Sequence, residues 1–226
     1  MGIDFGAVLA QRSYLLQGLA LTAAVSVISI CLSFGIGIGL ALCRVAPLRA
    51  LRSFAAFYID VFRNTPFLVQ LFFLYYGLPE IGIATNPVVT GTLALSLSCA
   101  AGNAEIIRSG IETVDVGIVQ AAQSFGLSTF NVYRLVIIPI ALRTALRPLG
   151  SAFVNLVLTT SVLSTITVND FMGNAITIAA DTFRPFEVYL VVLVVYCVMT
   201  FTVSGGVNGA HALMYSHLSE RPHLRG

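Results

Sequence analysis

The side chains in this 226-residue chain that could do chemistry are few, and most fall into two pairs and one cluster. Asp60 and Arg63 stand three apart, as do Glu105 and Arg108. That spacing puts both members of a pair on one helical face, where they can form an ion pair. Gln70 places a lone amide inside an apolar run. Asn155, Thr159, Thr160, Ser161, Ser164, Thr165 and Thr167 crowd a single helix-length stretch. Their hydroxyls and amide suit two roles: bonding carbonyls of their own or neighbouring helices, or lining a path for a polar solute. On a regular helix Thr160, Ser164 and Thr167 would share one face, and Asn155 and Thr159 another. Covalent chemistry has less to work with. All twelve cations are arginine, so a P-loop lysine and a Schiff-base lysine are both excluded. His211, His217 and His223 recur at a spacing of six, which does not keep one helical face, and they read as a solvated tail, not a metal site. Cys31, Cys43, Cys99 and Cys197 are scattered through apolar runs without a CxxC, as small packing residues.

The elements that must position these groups lie in a membrane. Only 10% of residues are charged, 57% are hydrophobic and the mean hydropathy is +0.91. A soluble domain carries about 25% charged residues. Five stretches approximate the ~17–25 residues of a spanning helix: 19–43, 53–79, 88–107, 149–168 and 188–210. The first is too long and too poorly flanked by cations for a leader peptide. Backbone groups in lipid must be satisfied within their own segment, so these are expected as helices, and no alternating barrel pattern is present. The whole of 1–226 therefore reads as one all-α transmembrane domain.

Orientation follows from arginine placement. With the N-terminus outside, Arg44, Arg49, Arg52, Arg63, Arg108, Arg134, Arg143, Arg147, Arg221 and Arg225 fall inside, and only Arg12 and Arg184 outside. Ten against two is a strong positive-inside bias. Five spans then place the N-terminus in the periplasm and the C-terminus in the cytoplasm.

The longest inside connection, 108–148, contains helical segments too short to span. Over 114–138 the pattern predicts a first helix up to Phe125, a stop at Gly126, a cap at Ser128, and a second helix ending at Ile138 before Pro139. By pattern alone this is either an amphipathic connector or a docking element. Near 66, the pyrrolidine ring of Pro66 should kink the second span, while the Asp60–Arg63 pair either anchors the end of that span or takes part in gating. Gly35/Gly39 and Gly205/Gly209 form GxxxG pairs, common enough in membrane helices that they specify no particular interface.

Ordered motifs add a family. Gln120-Ala121-Ala122, then Gly126, then Ile137-Ile138-Pro139 resembles the EAA loop of ABC importer permeases. The 63–79 stretch RNTPFLVQLFFLYYGLP, 103–117 NAEIIRSGIETVDVG and 146–171 LRPLGSAFVNLVLTTSVLSTITVNDF are similar, in order, to segments of the polar amino acid permease group that serves histidine, glutamine, arginine and glutamate. The sequence departs from that pattern at Gln120, where the family has Glu, at Leu158-Thr159 for Lys-Asp, at Ile140 for Gln and at Asn103 for Tyr.

The resemblance implies a type I importer permease fold. It assigns ATPase coupling to Gly117, Gln120, Ala121, Ala122, Gly126 and Leu127. Independently of it, polar groups in or beside apolar spans make Asn155, Thr160, Ser161, Ser164, Glu105 and Gln70 candidates for the substrate pathway, and Asp60, Arg63 and Pro66 candidates for gating or support. The resemblance implies no cofactor on this chain, with ATP and Mg used by a separate ATPase dimer. Further implied partners are a second permease subunit, identical or paralogous, an extracytoplasmic solute-binding protein, and lipid. The cargo would be a polar amino acid or a relative such as an opine or ectoine, and nucleic acid has no place. An ion-coupled secondary transporter is the competing reading. It would show internal repeats and mid-span carboxylates, and neither is visible in the sequence.

Overall fold

The computed structural model describes residues 5–84 and 86–215. His217, His223, Arg221 and Arg225 lie outside the described residues. Among the described residues there is helix and connection but no strand. In order they form α1 (Gly6–Ala10), α2 (Arg12–Val45), α3 (Arg49–Asn64), α4 (Phe67–Glu80), α5 (Pro87–Glu112), α6 (Val116–Ser124), α7 (Thr129–Val132), α8 (Ile138–Thr159), α9 (Phe171–Thr182) and α10 (Pro185–Tyr215). Three helical stretches, 12–45, 129–166 and 185–213, are long and apolar enough to cross a membrane.

The bundle is held by small residues, because lipid removes the hydrophobic force between helices and leaves packing and hydrogen bonds to act. On α2 the buried positions include Gly18, Thr22, Ser26, Ser29, Ser33, Gly37 and Ala41, a stripe at spacings of three and four. The opposite face shows Leu16, Val27, Ile28 and Leu32 to the outside. Against the stripe lies α5: Asn103 Nδ2 donates to Ser33 Oγ at 3.2 Å, and Ser29 Oγ donates to the Thr92 carbonyl at 3.4 Å. At its other end α2 receives α9. Thr22 Oγ1 accepts from Phe171 N–H at 2.9 Å, and Asn174 Nδ2 donates to the Tyr14 carbonyl at 2.7 Å.

The packed glycines are not those of the GxxxG pairs. Gly35, Gly39, Gly205 and Gly209 have open space where a β-carbon would be. A β-carbon on Gly18 would sit 2.7 Å from the Asp170 carbonyl oxygen, which is backbone and cannot step aside. Gly18→Val is therefore expected to destabilise the bundle by at least the ~1–3 kcal/mol of ordinary overpacking. Gly35→Val should stay within about 0.5 kcal/mol, as surface changes do. Thermal unfolding of the two detergent-purified variants checks the contrast.

Three expected elements are built differently. The 53–79 stretch is two helices, interrupted at Thr65, which is extended, and Pro66, which precedes the first residue of α4. The second helix of the 114–138 segment does not stop at Ile138. A π turn over Tyr133–Ile137, in which Ile138 N–H donates to the Tyr133 carbonyl, carries the chain past Pro139 into α8. Pro139 falls in the first turn of α8, the position where a helix tolerates proline's missing N–H. The 149–168 stretch starts inside α8, leaves α-helix after Thr159 and tightens into a 3₁₀ segment, Thr160–Ile166, that ends at Thr167 with φ +61°.

Candidate functional site

The polar stretch after α8 explains its own geometry. Thr160, Ser161, Ser164 and Thr165 each donate to a carbonyl three residues back, at 2.7, 2.7, 2.8 and 2.7 Å. Hydroxyls that bond the preceding turn in this way compete with the α pattern and favour the tighter one. At three residues per turn the faces are not those of a regular helix. Thr160 lines up with Leu163 and Ile166, all three buried, while Ser161 lines up with Ser164, both half-buried. The face expected to join Thr160 with Ser164 does not form. Asn155, one turn earlier, is exposed.

Gln70 is spent on the break between α3 and α4. Proline at 66 has no N–H for the Phe62 carbonyl. Gln70 Nε2 supplies both missing donors, reaching the Phe62 and Thr65 carbonyls at 2.8 Å each. The side chain is only 8% exposed. Beside it an apolar cleft of about 410 Å³ is lined by Val61, Phe62, Thr65, Val69, Phe73 and Leu74. Asp60 and Arg63 are both exposed, and Arg63 points to Glu105 at 3.9 Å, not to Asp60. Glu105 gathers arginines at the end of the bundle where α2, α3 and α5 finish. Arg108 bonds it at 2.8 Å, and Arg44 lies 3.8 Å away.

At the same end α6, α7 and the π turn form a small unit with its own core of Val114, Ala122, Val132 and Ile137, against which Leu127 packs. Asp115 caps α6 by accepting from Gly117 N–H at 2.6 Å, and Ser128 caps α7 by accepting from Asn131 N–H at 3.4 Å. Between them Gly126, at φ +80°, closes α6: Leu127 N–H reaches the Ala122 carbonyl at 3.3 Å, and Gly126 N–H reaches Gln123 at 2.9 Å. This is the six-to-one closure of a Schellman turn, which needs a left-handed residue. Of the coupling candidates, Gly117, Gln120, Ala121 and Gly126 are exposed, and Ala122 and Leu127 face inward. Exposed beside them are Val116, Phe125 and Phe130, with Phe125 at 88%. An outward apolar side chain on a segment too short to span was the available sequence signal for these three.

Asp170 was also missed, because it falls just past the expected fourth span. It is 1% exposed and caps α9 by accepting from Gly173 N–H at 2.8 Å. Aspartate three residues ahead of a glycine at the start of an apolar run was its signature.

This arrangement has close counterparts. Residues 32–208 match the family of binding-protein-dependent transport system inner membrane components. The chain belongs to that family. It is 34% identical, over 97% of its length and 95% of the relative's, to the nopaline transport system permease protein NocM of Agrobacterium fabrum. It is 34% identical, over 87% and 91%, to the probable glutamine ABC transporter permease protein GlnM of Bacillus subtilis, and 30% identical, over 90% and 94%, to the arginine permease ArtQ of that organism. A crystal structure of an amino acid ABC transporter with histidines superposes with TM-score 0.86 at 32% identity, covering 93% of this chain and 99% of the other. The methionine transporter MetNI shares the fold, with TM-score 0.77 at 17% identity. This permease is thus a multi-pass inner-membrane subunit of an ABC importer, with the type I permease fold.

Proposed function

We propose that this permease carries polar amino acids, or close relatives such as opines or ectoine, from periplasm to cytoplasm as one of two permease subunits around a shared path. A separate ATPase dimer, using ATP and Mg, docks on α6 and its Gly126 turn. A periplasmic solute-binding protein delivers the cargo. The N-terminus then lies in the periplasm and α6 and the C-terminus in the cytoplasm, as the arginine distribution favours. The observation that carries the reading is the α6 unit: a short capped helix that exposes Val116, Gln120, Ala121 and Phe125 while its own small core holds it rigid. Rigid elements of this kind can turn ATPase closure into movement of the spans. The names of the relatives, which include nopaline, glutamine and arginine permeases, support the cargo class.

The test is uptake into proteoliposomes that hold the permease, its ATPase and its binding protein, with labelled histidine, glutamine, arginine and nopaline. Uptake should require ATP and persist when ion gradients are collapsed. Uptake that follows an ion gradient without ATP would overturn the reading. In the same assay Ser164→Val probes the path. Ser164 donates only to the Ser161 carbonyl within its own segment, so the change should leave assembly intact and lower uptake about threefold to tenfold, the scale of one lost polar contact of ~1 kcal/mol. Full activity would remove Ser164 from the path.

A further inference from the structure

Three helices finish at one place in this permease, and the Glu105 carboxylate lies among their ends. Arg108 grips Glu105 with a fork, Nε at 3.1 Å to one oxygen and an Nη at 2.8 Å to the other. Arg44, in the last turn of α2, brings Nε to 3.8 Å from the same group. Arg63, in the last turn of α3, comes to 3.9 Å. Arg108 also pairs with Glu112, the final residue of α5. Only Thr113, Val114 and Asp115 then separate α5 from α6.

The contacts are unequal in a useful way. A bidentate arginine–carboxylate fork is both stronger and more directional than a single ion contact. The Arg44 and Arg63 contacts exceed hydrogen-bond length, so they hold by charge alone. Arg44 Nε is buried without a hydrogen-bond partner, and the Arg63 side chain is 57% exposed. Next to them an open cleft of about 390 Å³, lined by Arg63, Glu105, Arg108, Gly110, Thr144 and Pro148, leaves room for these ends to shift. Arg63 stands three residues before Pro66, so whatever pulls on it acts on the break clasped by Gln70.

We propose that Glu105 is a positioning residue: the shared anchor through which the ends of α2 and α3 follow α5 and α6, its Arg108 fork constant and its Arg63 contact exchanged during the transport cycle. The inference rests on the coupling role proposed for α6. A carboxylate is required because it serves three cations at once; an amide of the same shape keeps some hydrogen bonding and loses the charge. The network is therefore a route for movement between the docking unit and the broken helix.

The experiment uses the complete transporter in proteoliposomes and reads the ratio of solute imported to ATP hydrolysed, beside thermal unfolding. Glu105→Gln is expected to lower that ratio about fivefold or more, the scale of a modest coupling energy between sites. Glu105→Asp should recover part of it. Arg63→Gln, which removes only the longest and most exposed contact, should lower the ratio without moving the unfolding temperature. A ratio unchanged in both Glu105→Gln and Arg63→Gln, with only stability reduced, makes the cluster a static staple and overturns the proposal. If Glu105→Gln fails to assemble, Arg63→Gln alone decides. Absence of ATP-driven uptake by the wild-type complex would instead overturn the functional reading itself.

Discussion

Replacing Gly126 by valine should abolish most ATP-driven uptake while the chain still reaches the membrane. Gly126 sits at φ +80°, and the space around its missing β-carbon is empty. The penalty is therefore backbone strain, not collision. A non-glycine residue in such a region costs about 1–3 kcal/mol, and a β-branched one falls at the upper end. Relief would come from opening the turn, which loses the Leu127-to-Ala122 closure and swings α6 on its small core. Every ~1.4 kcal/mol is about tenfold in an equilibrium, so the correctly docked population should fall by an order of magnitude or more. Gly126→Asn is the control, since asparagine tolerates the left-handed region through its short polar side chain. It should retain most activity. Co-purification of the ATPase with each variant, read beside uptake, checks the result. Equal loss in both variants would place the defect in something other than backbone conformation.

The second large effect is expected at Gln70. Gln70→Leu leaves the carbonyls of Phe62 and Thr65 without donors in a buried, largely apolar setting. Each orphaned group costs about 1–3 kcal/mol, so a loss of roughly 2–6 kcal/mol is expected for the two. That is a large share of the stability of a typical fold. The loss should depend on Pro66. In Pro66→Ala the new N–H can serve the Phe62 carbonyl, and a continuous helix would let Val69 N–H serve Thr65. The Gln70→Leu penalty should therefore shrink by more than half in the Pro66→Ala background, a coupling that a double-mutant cycle measures. If Gln70 instead contacted substrate on the path, Gln70→Leu would cut uptake and leave the unfolding temperature unmoved.

The turn between α6 and α7 was legible because its signals are local: a glycine stop and a serine cap specify a turn from the chain itself, and Gly126 and Ser128 do what their types favour. The break at Pro66 was legible for the same reason, since proline's missing donor is a covalent fact. Its repair was not. That Gln70 Nε2 faces back to Phe62 and Thr65 depends on which way α4 leaves the break. The expected face of Thr160, Ser164 and Thr167 rests on a period of 3.6, and hydroxyls bonding three residues back replace it with 3.0 from Thr160 onward, while Asn155 and Thr159 keep theirs within α8.

Hydrophobicity, the absence of lysine and the arginine placement determined on their own that this chain lives in a membrane and holds no P-loop. The ordered motifs pointed to its family. Tertiary structure alone decided which small residues carry the packing, and chose Gly18 and Gly37 over the GxxxG pairs. It alone brought Arg44 and Arg63 to Glu105, and Thr22 to the start of α9. The physical reason is separation along the chain. A cap or a turn spends its energy within a few residues and can be read there. A contact between residues tens of positions apart is set by where whole helices can pack, which no short stretch of sequence records.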